Sequence, residues 1–165
     1  MNRDEINEKI EQYGRGYGLL TAALAEVPRE AWSYRPAPNE WSVHEIIVHM
    51  ADSESMSALR ARKLIVEPGS TLMGYEEAKW ADALDYQGQS TEDALEIIRL
   101  ARQTTYDLLK RQPDEVFTHA VVHPEYPDDP YTFEKWLNIY ARHIPNHIGQ
   151  LKSSYQAWKD SQKQE

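Results

Sequence analysis

The sequence predicts an all-α fold: a four-helix bundle with long loops and a small hairpin near residues 116–130. Three observations carry this. Apolar residues recur every three or four positions along most of the chain, which is the spacing of one helix face. The prolines gather at a few points (28, 36–38, 68, 113 and 124–130) and leave long stretches free of helix breakers apart from Pro145. Capping signals stand just ahead of two of the longest periodic stretches.

Ile6, Ile10, Tyr13, Tyr17, Leu20, Leu24 and Val27 alternate four and three apart, one stripe on a helix of about six turns that Pro28 stops. Trp32 to Asn39 holds Pro36 and Pro38 and reads as a loop, which its tryptophan and tyrosine, with Trp41 close by, should fold back onto the core. A second helix should begin after Ser42. Glu45 lies three residues on, the spacing of a capping box, and the helix should last to about Ile65, before Pro68 and Gly69. Residues 70–89 read as a short helix and a connection. Ser90 with Asp93 is a further capping signal, for a third long helix from Thr91 to about Arg111, bounded by Pro113. Val116 to His123, followed by Pro124, Pro127 and Pro130, reads as a loop or small hairpin. The fourth long helix should start near Pro130–Thr132, where proline suits a first turn. Its core stripe is Phe133, Trp136, Tyr140, His143, His147, Leu151 and Trp158, and the polar tail from Lys159 is expected to fray.

The 165 residues show no repeat or linker that would split them, so one domain with a core over about residues 5–158 is expected. Lys plus Arg number 18 against 27 Asp plus Glu, a net charge of −9, which argues against a nucleic-acid binder and against docking on an anionic membrane. No cysteine is present, which excludes disulfides, thiolate zinc sites and a cysteine nucleophile. The polar opening segment reads as having no signal peptide, and no apolar run has the length of a membrane span. A soluble, cytoplasmic protein is the expectation.

The histidines carry the chemistry. His143 and His147 stand four apart on a predicted helix and interrupt an otherwise aromatic and aliphatic stripe, so both rings point into the bundle. Burying two such rings costs several kcal/mol unless each finds a partner. A shared cation satisfies both, and so does a carbonyl or carboxylate for each; the spacing leaves both readings open. His49 is the best third ligand, on the side of its helix that carries Ile46, Ser53 and Met56, though a lone histidine there can equally be a core residue with one hydrogen bond. Three neutral imidazoles and a water make the open coordination of a catalytic metal site rather than a closed structural one. His119 and His123 share the same spacing, but on a strand they would lie roughly 13 Å apart, too far to share an ion, and read as loop or rim residues. His44 belongs to a first helical turn and reads as solvated. Pro145, between the paired histidines, removes the hydrogen bond to the Ala141 carbonyl; a kink there either opens the site or spoils its geometry.

Pro38 to Ser53 holds a tryptophan–serine helix start with His49 seven residues after the serine, and Tyr140 to Leu151 reads H-x-x-x-H-x-x-Q from His143 to Gln150. In this order the two segments resemble the DinB-like (DinB/YfiT-type) four-helix-bundle superfamily. Gly74 to Trp80 and His123–Pro124 fall where such proteins carry similar residues, so the resemblance covers about residues 5–158. It implies one divalent metal ion (zinc, nickel or iron) held by His49, His143 and His147. It further implies an enzyme that acts on a small molecule, a thiol S-transferase using a low-molecular-weight thiol or a hydrolase, and a homodimer. Because the chain has no cysteine, a thiolate must arrive with the substrate. Asp52, one turn beyond His49, is the candidate catalytic residue, either orienting that ligand or accepting a proton; a solvated surface acid is the alternative. Tyr140 and Tyr17 are candidates to line the pocket. The rival reading is a metal- or small-ligand-binding bundle without turnover, serving as a sensor, a store or in a stress response.

Overall fold

The structure, a computed structural model, describes residues 1–163. Helix α1 (Arg3–Leu24) opens on a capping box: the Asn2 side chain accepts from the Glu5 amide, and Glu5 returns to the Asn2 amide. It ends at Leu24, short of Pro28, because two tight turns already close there through the amides of Glu26 and Val27. Helix α2 (Val43–Val66) starts from Ser42, and the Ser42/Glu45 capping box is formed as the spacing predicts. Gly69 follows at φ +83°, a left-handed turn that favours glycine, and aims its amide at the Ala120 carbonyl.

Helix α3 (Glu77–Ala83) is the short helix expected in residues 70–89. Helix α4 (Thr91–Leu109) is capped by Ser90, which accepts from the Asp93 amide. Strands β1 (Ala120–His123) and β2 (Tyr126–Thr132) then form the hairpin, with Val121 opposite Tyr131 and Ala120 opposite Thr132. The far edge of β1 is taken by residues 69–72, through Val122 to Ser70 and Leu72 to Val122. That leaves β2 as the free edge, the position that tolerates Pro127 and Pro130. Pro130, expected in the first turn of the last helix, therefore lies in the strand, and helix α5 (Phe133–Ser161) begins from Thr132, which caps the Lys135 amide. The helix runs unbroken through Pro145. The fraying expected from Lys159 is absent as far as Ser161, and the last two residues of that tail lie outside the described residues.

The four long helices do not pack in sequence order. Helices α1 and α2 each pack against α4 and α5 rather than against one another, so the connections 25–42 and 110–132 run diagonally. The core is divided in two. One apolar cluster holds Leu20, Ile46, Met50, Ile98 and Ile144; the other holds Tyr13, Ala61, Leu109, Trp136 and Tyr140. On each helix a polar or glycine position separates the two clusters: Gly16 on α1, Ser53, Glu54 and Ser57 on α2, Arg102 and Thr105 on α4, and His143 on α5. A buried polar layer thus crosses the middle of the bundle.

Candidate functional site

The polar layer is built from the inside out. Arg102 on α4 is 1% exposed and bonds Glu54 Oε1 (2.8 Å) and the carbonyls of Tyr13 (2.6 Å) and Tyr140 (2.9 Å). Its guanidinium lies 4.3 Å from the Tyr13 ring centroid, a cation–π contact. Gly16 makes room for it: a Cβ there would stand 2.2 Å from Arg102 Nη1. Glu54 is wholly buried. Burial pushes its carboxyl up, but the Arg102 charge and the hydrogen bond from His143 outweigh this and hold it below the usual carboxylate range.

From Glu54 the layer reaches the histidines. His143 Nδ1 lies 2.9 Å from Glu54 Oε1, and His147 Nδ1 lies 2.7 Å from Gln150 Oε1. Both partners are acceptors, so both Nδ1 atoms carry the hydrogen, and in a neutral ring Nε2 then presents a lone pair. Those two Nε2 atoms face each other at 3.1 Å, with only the Ser53 hydroxyl beside them, 3.1 Å from His143 Nε2. His49 on α2 completes the group: one ligand atom from each of the three rings lies within 4.8 Å of the others. Its ring packs 4.7 Å from the half-buried Trp41 and 4.8 Å from His147. Burial, reinforced by the neighbouring rings, lowers the His49 pKa to about 3 and that of His147 to about 4, so both are neutral at neutral pH. Neutral imidazole is the metal-ligating form.

The donor set fits a cation. Two lone pairs converging at 3.1 Å repel unless a proton or a cation lies between them. Nitrogens about 2.0–2.1 Å from a tetrahedral zinc stand about 3.3–3.4 Å apart, close to the spacing already present. Pro145 does not spoil the pair: the continuous helix holds the two ring centroids at 4.5 Å.

The other candidates are placed as follows. Asp52 is half-buried and accepts from the Tyr86 hydroxyl at 2.6 Å. The anticipated contact with His49 is not made, and His49 Nδ1 has no hydrogen-bond partner. The nearest carboxylate to that ring is Glu77 on α3, with Oε2 4.0 Å from His49 Nε2. Tyr140 is buried, its ring 5.4 Å from His143, and it lines a cavity of about 470 Å3 that opens beside the histidines. Tyr17 lies instead against the apolar cluster around Leu20. His123 is on the cavity wall, while His119 Nδ1 bonds the Leu64 carbonyl and His44 Nε2 the Gln89 carbonyl, both at 2.8 Å.

Sequence reasoning missed Glu54 and Arg102. A signal was present: Glu54 falls on the stripe Met50, Ser57, Ala61 and Leu64, and Arg102 on Ala94, Ile98, Thr105 and Leu109, each at helical spacing. Opposite charges inside two apolar stripes imply a buried pair.

Comparison with known proteins gives the same architecture. The sequence profile of the DinB superfamily matches residues 12–151. A protein of Oceanobacillus iheyensis provisionally named a metal-dependent hydrolase is 26% identical over 148 residues, 90% of this chain and 84% of its own length. YfiT of Bacillus subtilis, provisionally named in the same way, is 24% identical over 111 residues, 67% of this chain and 62% of its own. Its solved structure, described as a four-helix bundle of unusual topology, superposes with a TM-score of 0.86 at 19% identity, over 96% of this chain and 90% of that one. A second Bacillus subtilis structure, of the DinB-like protein YjoA, gives 0.58 at 15% identity over 92% of both chains. The matched profile spans most of the chain and reaches all four long helices: this protein belongs to the DinB superfamily.

Proposed function

We propose that the protein is a metal-dependent enzyme acting on a small molecule, a hydrolase or a thiol S-transferase, with His49, His143 and His147 holding one divalent ion (zinc, nickel or iron). The observation that carries this reading is the approach of two Nε2 atoms to 3.1 Å inside a buried polar layer, with a ligand atom of His49 within 4.8 Å of both. The provisional names of the relatives point the same way. When bound, such an ion supplies Lewis-acid activation of a water or a substrate thiol near neutral pH. Everything else falls to the chain. Glu54 and Gln150 fix the tautomers and orientations of His143 and His147. Trp41 covers one side of His49. The Glu77 carboxylate, on the solvent side of the histidines, would take a proton from the attacking group at Oε2. Asp52 instead holds the Tyr86 hydroxyl.

The test is turnover. Chelator-treated protein, reloaded separately with zinc, nickel and iron, is offered nitrophenyl esters, anilides, and a thiol with an aryl chloride. The proposal expects turnover in at least one class, abolished in His147→Ala and lowered about 100-fold or more in Glu77→Gln. One bound ion per chain with no turnover in any class contradicts an enzyme and leaves an ion-binding bundle.

A further inference from the structure

The cavity beside the histidines holds a cation that the proposed chemistry does not use. Arg60 projects from α2 into its wall, and among the described residues it has no carboxylate partner. Two of its five N–H groups are taken, by the Tyr140 hydroxyl (3.3 Å) and the Met73 carbonyl (3.1 Å). Its Nε is buried with no hydrogen-bond partner, and so is the hydroxyl of Tyr131, which lines the same cavity. The Tyr131 ring is 8% exposed; burial raises its hydroxyl pKa, with the Arg60 charge opposing, so it stays a neutral donor. The Tyr131 hydroxyl lies close enough to Arg60 to feel its N–H groups, and its own O–H is left for a ligand or an ordered water.

The remaining charges do not neutralise Arg60. Lys135, the other cation of the cavity, is matched by Asp129. Glu77 is turned to the histidine end, 4.0 Å from His49. Tyr140 meets Arg60 through its hydroxyl and lies 5.4 Å from the His143 ring, so Arg60 and His143 line the same cavity on either side of it. The rings of Tyr75 and Tyr126 also line the cavity, a lining that suits a flat or apolar body.

We propose that this cavity takes a small molecule with a carboxylate at one end, bound by the Arg60 guanidinium and by the Tyr131 hydroxyl, with the reacting bond at the histidine end. A carboxylate accepts from guanidinium N–H and tyrosine O–H groups together, and its charge answers that of Arg60. The assignment names the substrate class for the enzyme proposed above and rests on that reading.

The experiment uses the protein as purified, with its metal content recorded, and three probes: 3-phenylpropionate, its primary amide, and phenethylphosphonate. Binding is read by titration calorimetry and by the tryptophan fluorescence, for the wild type, Arg60→Met, Arg60→Lys and Tyr131→Phe. The carboxylate should bind the wild type about tenfold or more tighter than the amide, since a charge-assisted pair of hydrogen bonds is lost in the amide. That preference should vanish in Arg60→Met, fall to a few-fold in Arg60→Lys, and weaken in Tyr131→Phe. Arg60→Lys and Tyr131→Phe carry the test if Arg60→Met melts below the assay temperature. A carboxylate preference that survives in the Arg60 variants would come from ligation at the histidines and overturns the assignment. Equal binding of acid and amide overturns it, and so does Arg60-dependent binding of the phosphonate alone. Wild type that holds its ion but shows no carboxylate preference refutes this inference only, whereas wild type that binds no ion refutes the enzyme reading.

Discussion

Arg102→Met removes the cation from the middle of the bundle and leaves Glu54, at 0% exposure, without its principal counter-charge. Taking one partner from a buried pair costs about 3–5 kcal/mol, because the surviving charge has been moved out of water and is no longer compensated. The carbonyls of Tyr13 and Tyr140 lose a donor too, but both lie inside helices and keep their backbone bonds, so Glu54 dominates the loss. For a chain of this size the loss corresponds to a fall in melting temperature of about 6–20 °C. Adding Glu54→Gln removes the stranded charge while keeping an acceptor for His143 Nδ1. The double variant should therefore be more stable than Arg102→Met alone by about 1–3 kcal/mol. Urea denaturation of chelator-treated samples reads all four corners of the cycle without a contribution from bound ions. If Glu54→Gln only adds to the damage of Arg102→Met, the polar layer is not held by this charge pair and the reasoning fails.

Further predictions test neighbouring parts of the structure. Gly16→Ala should destabilise by about 1–3 kcal/mol, because a Cβ there would meet Arg102 Nη1 at 2.2 Å. Gly18→Ala, two residues on with open space around it, should stabilise by about 0.5–1 kcal/mol, so the two thermal melts should move in opposite directions. Glu45 caps α2 and pairs with Arg35; burial raises its carboxyl, but the bonds from Arg35 and Ser42 prevail and its pKa is lowered. A lowered folded pKa contributes stability above the unfolded value, about 4.3, and that contribution is lost as pH falls through the folded value. The advantage of wild type over Glu45→Gln in urea midpoint should therefore be full at pH 7 and shrink below about pH 4; a constant difference down to pH 2.5 would show that charge plays no part. Gln150→Ala should lower affinity for the divalent ion about 10-fold or more while leaving the melting temperature of ion-free protein nearly unchanged, a comparison made by competition with a zinc-binding dye.

How far the sequence could be read follows from what each feature depends on. Capping at Ser42 and Ser90 depends on residues three apart and was legible, as was the long apolar stripe of α1. The convergence of His143 and His147 is likewise a matter of helical spacing. The approach of His49 to them needed the packing of α2 on α5, which no local pattern shows. Pro130 was misplaced because β1 and residues 69–72, about fifty positions apart, pair and make β2 a free edge, where a proline costs nothing. The partner of Asp52 was illegible for a related reason: one turn from His49 it looks like that ligand's neighbour, yet Tyr86, contributed by a distant turn, bonds its carboxylate. Glu54 and Arg60 differ from the other charged residues of α2 in partners and depth, which the packing of distant helices sets.

The central claim is that His49, His143 and His147 share one ion, and metal content tests it most directly. Tag-free protein, its His49→Ala variant and its His147→Ala variant are expressed with zinc, nickel and iron supplied and analysed by plasma mass spectrometry. The account predicts about one divalent ion per wild-type chain and nearly none in either folded variant. Wild type without an ion, or variants that keep a full equivalent, would contradict it.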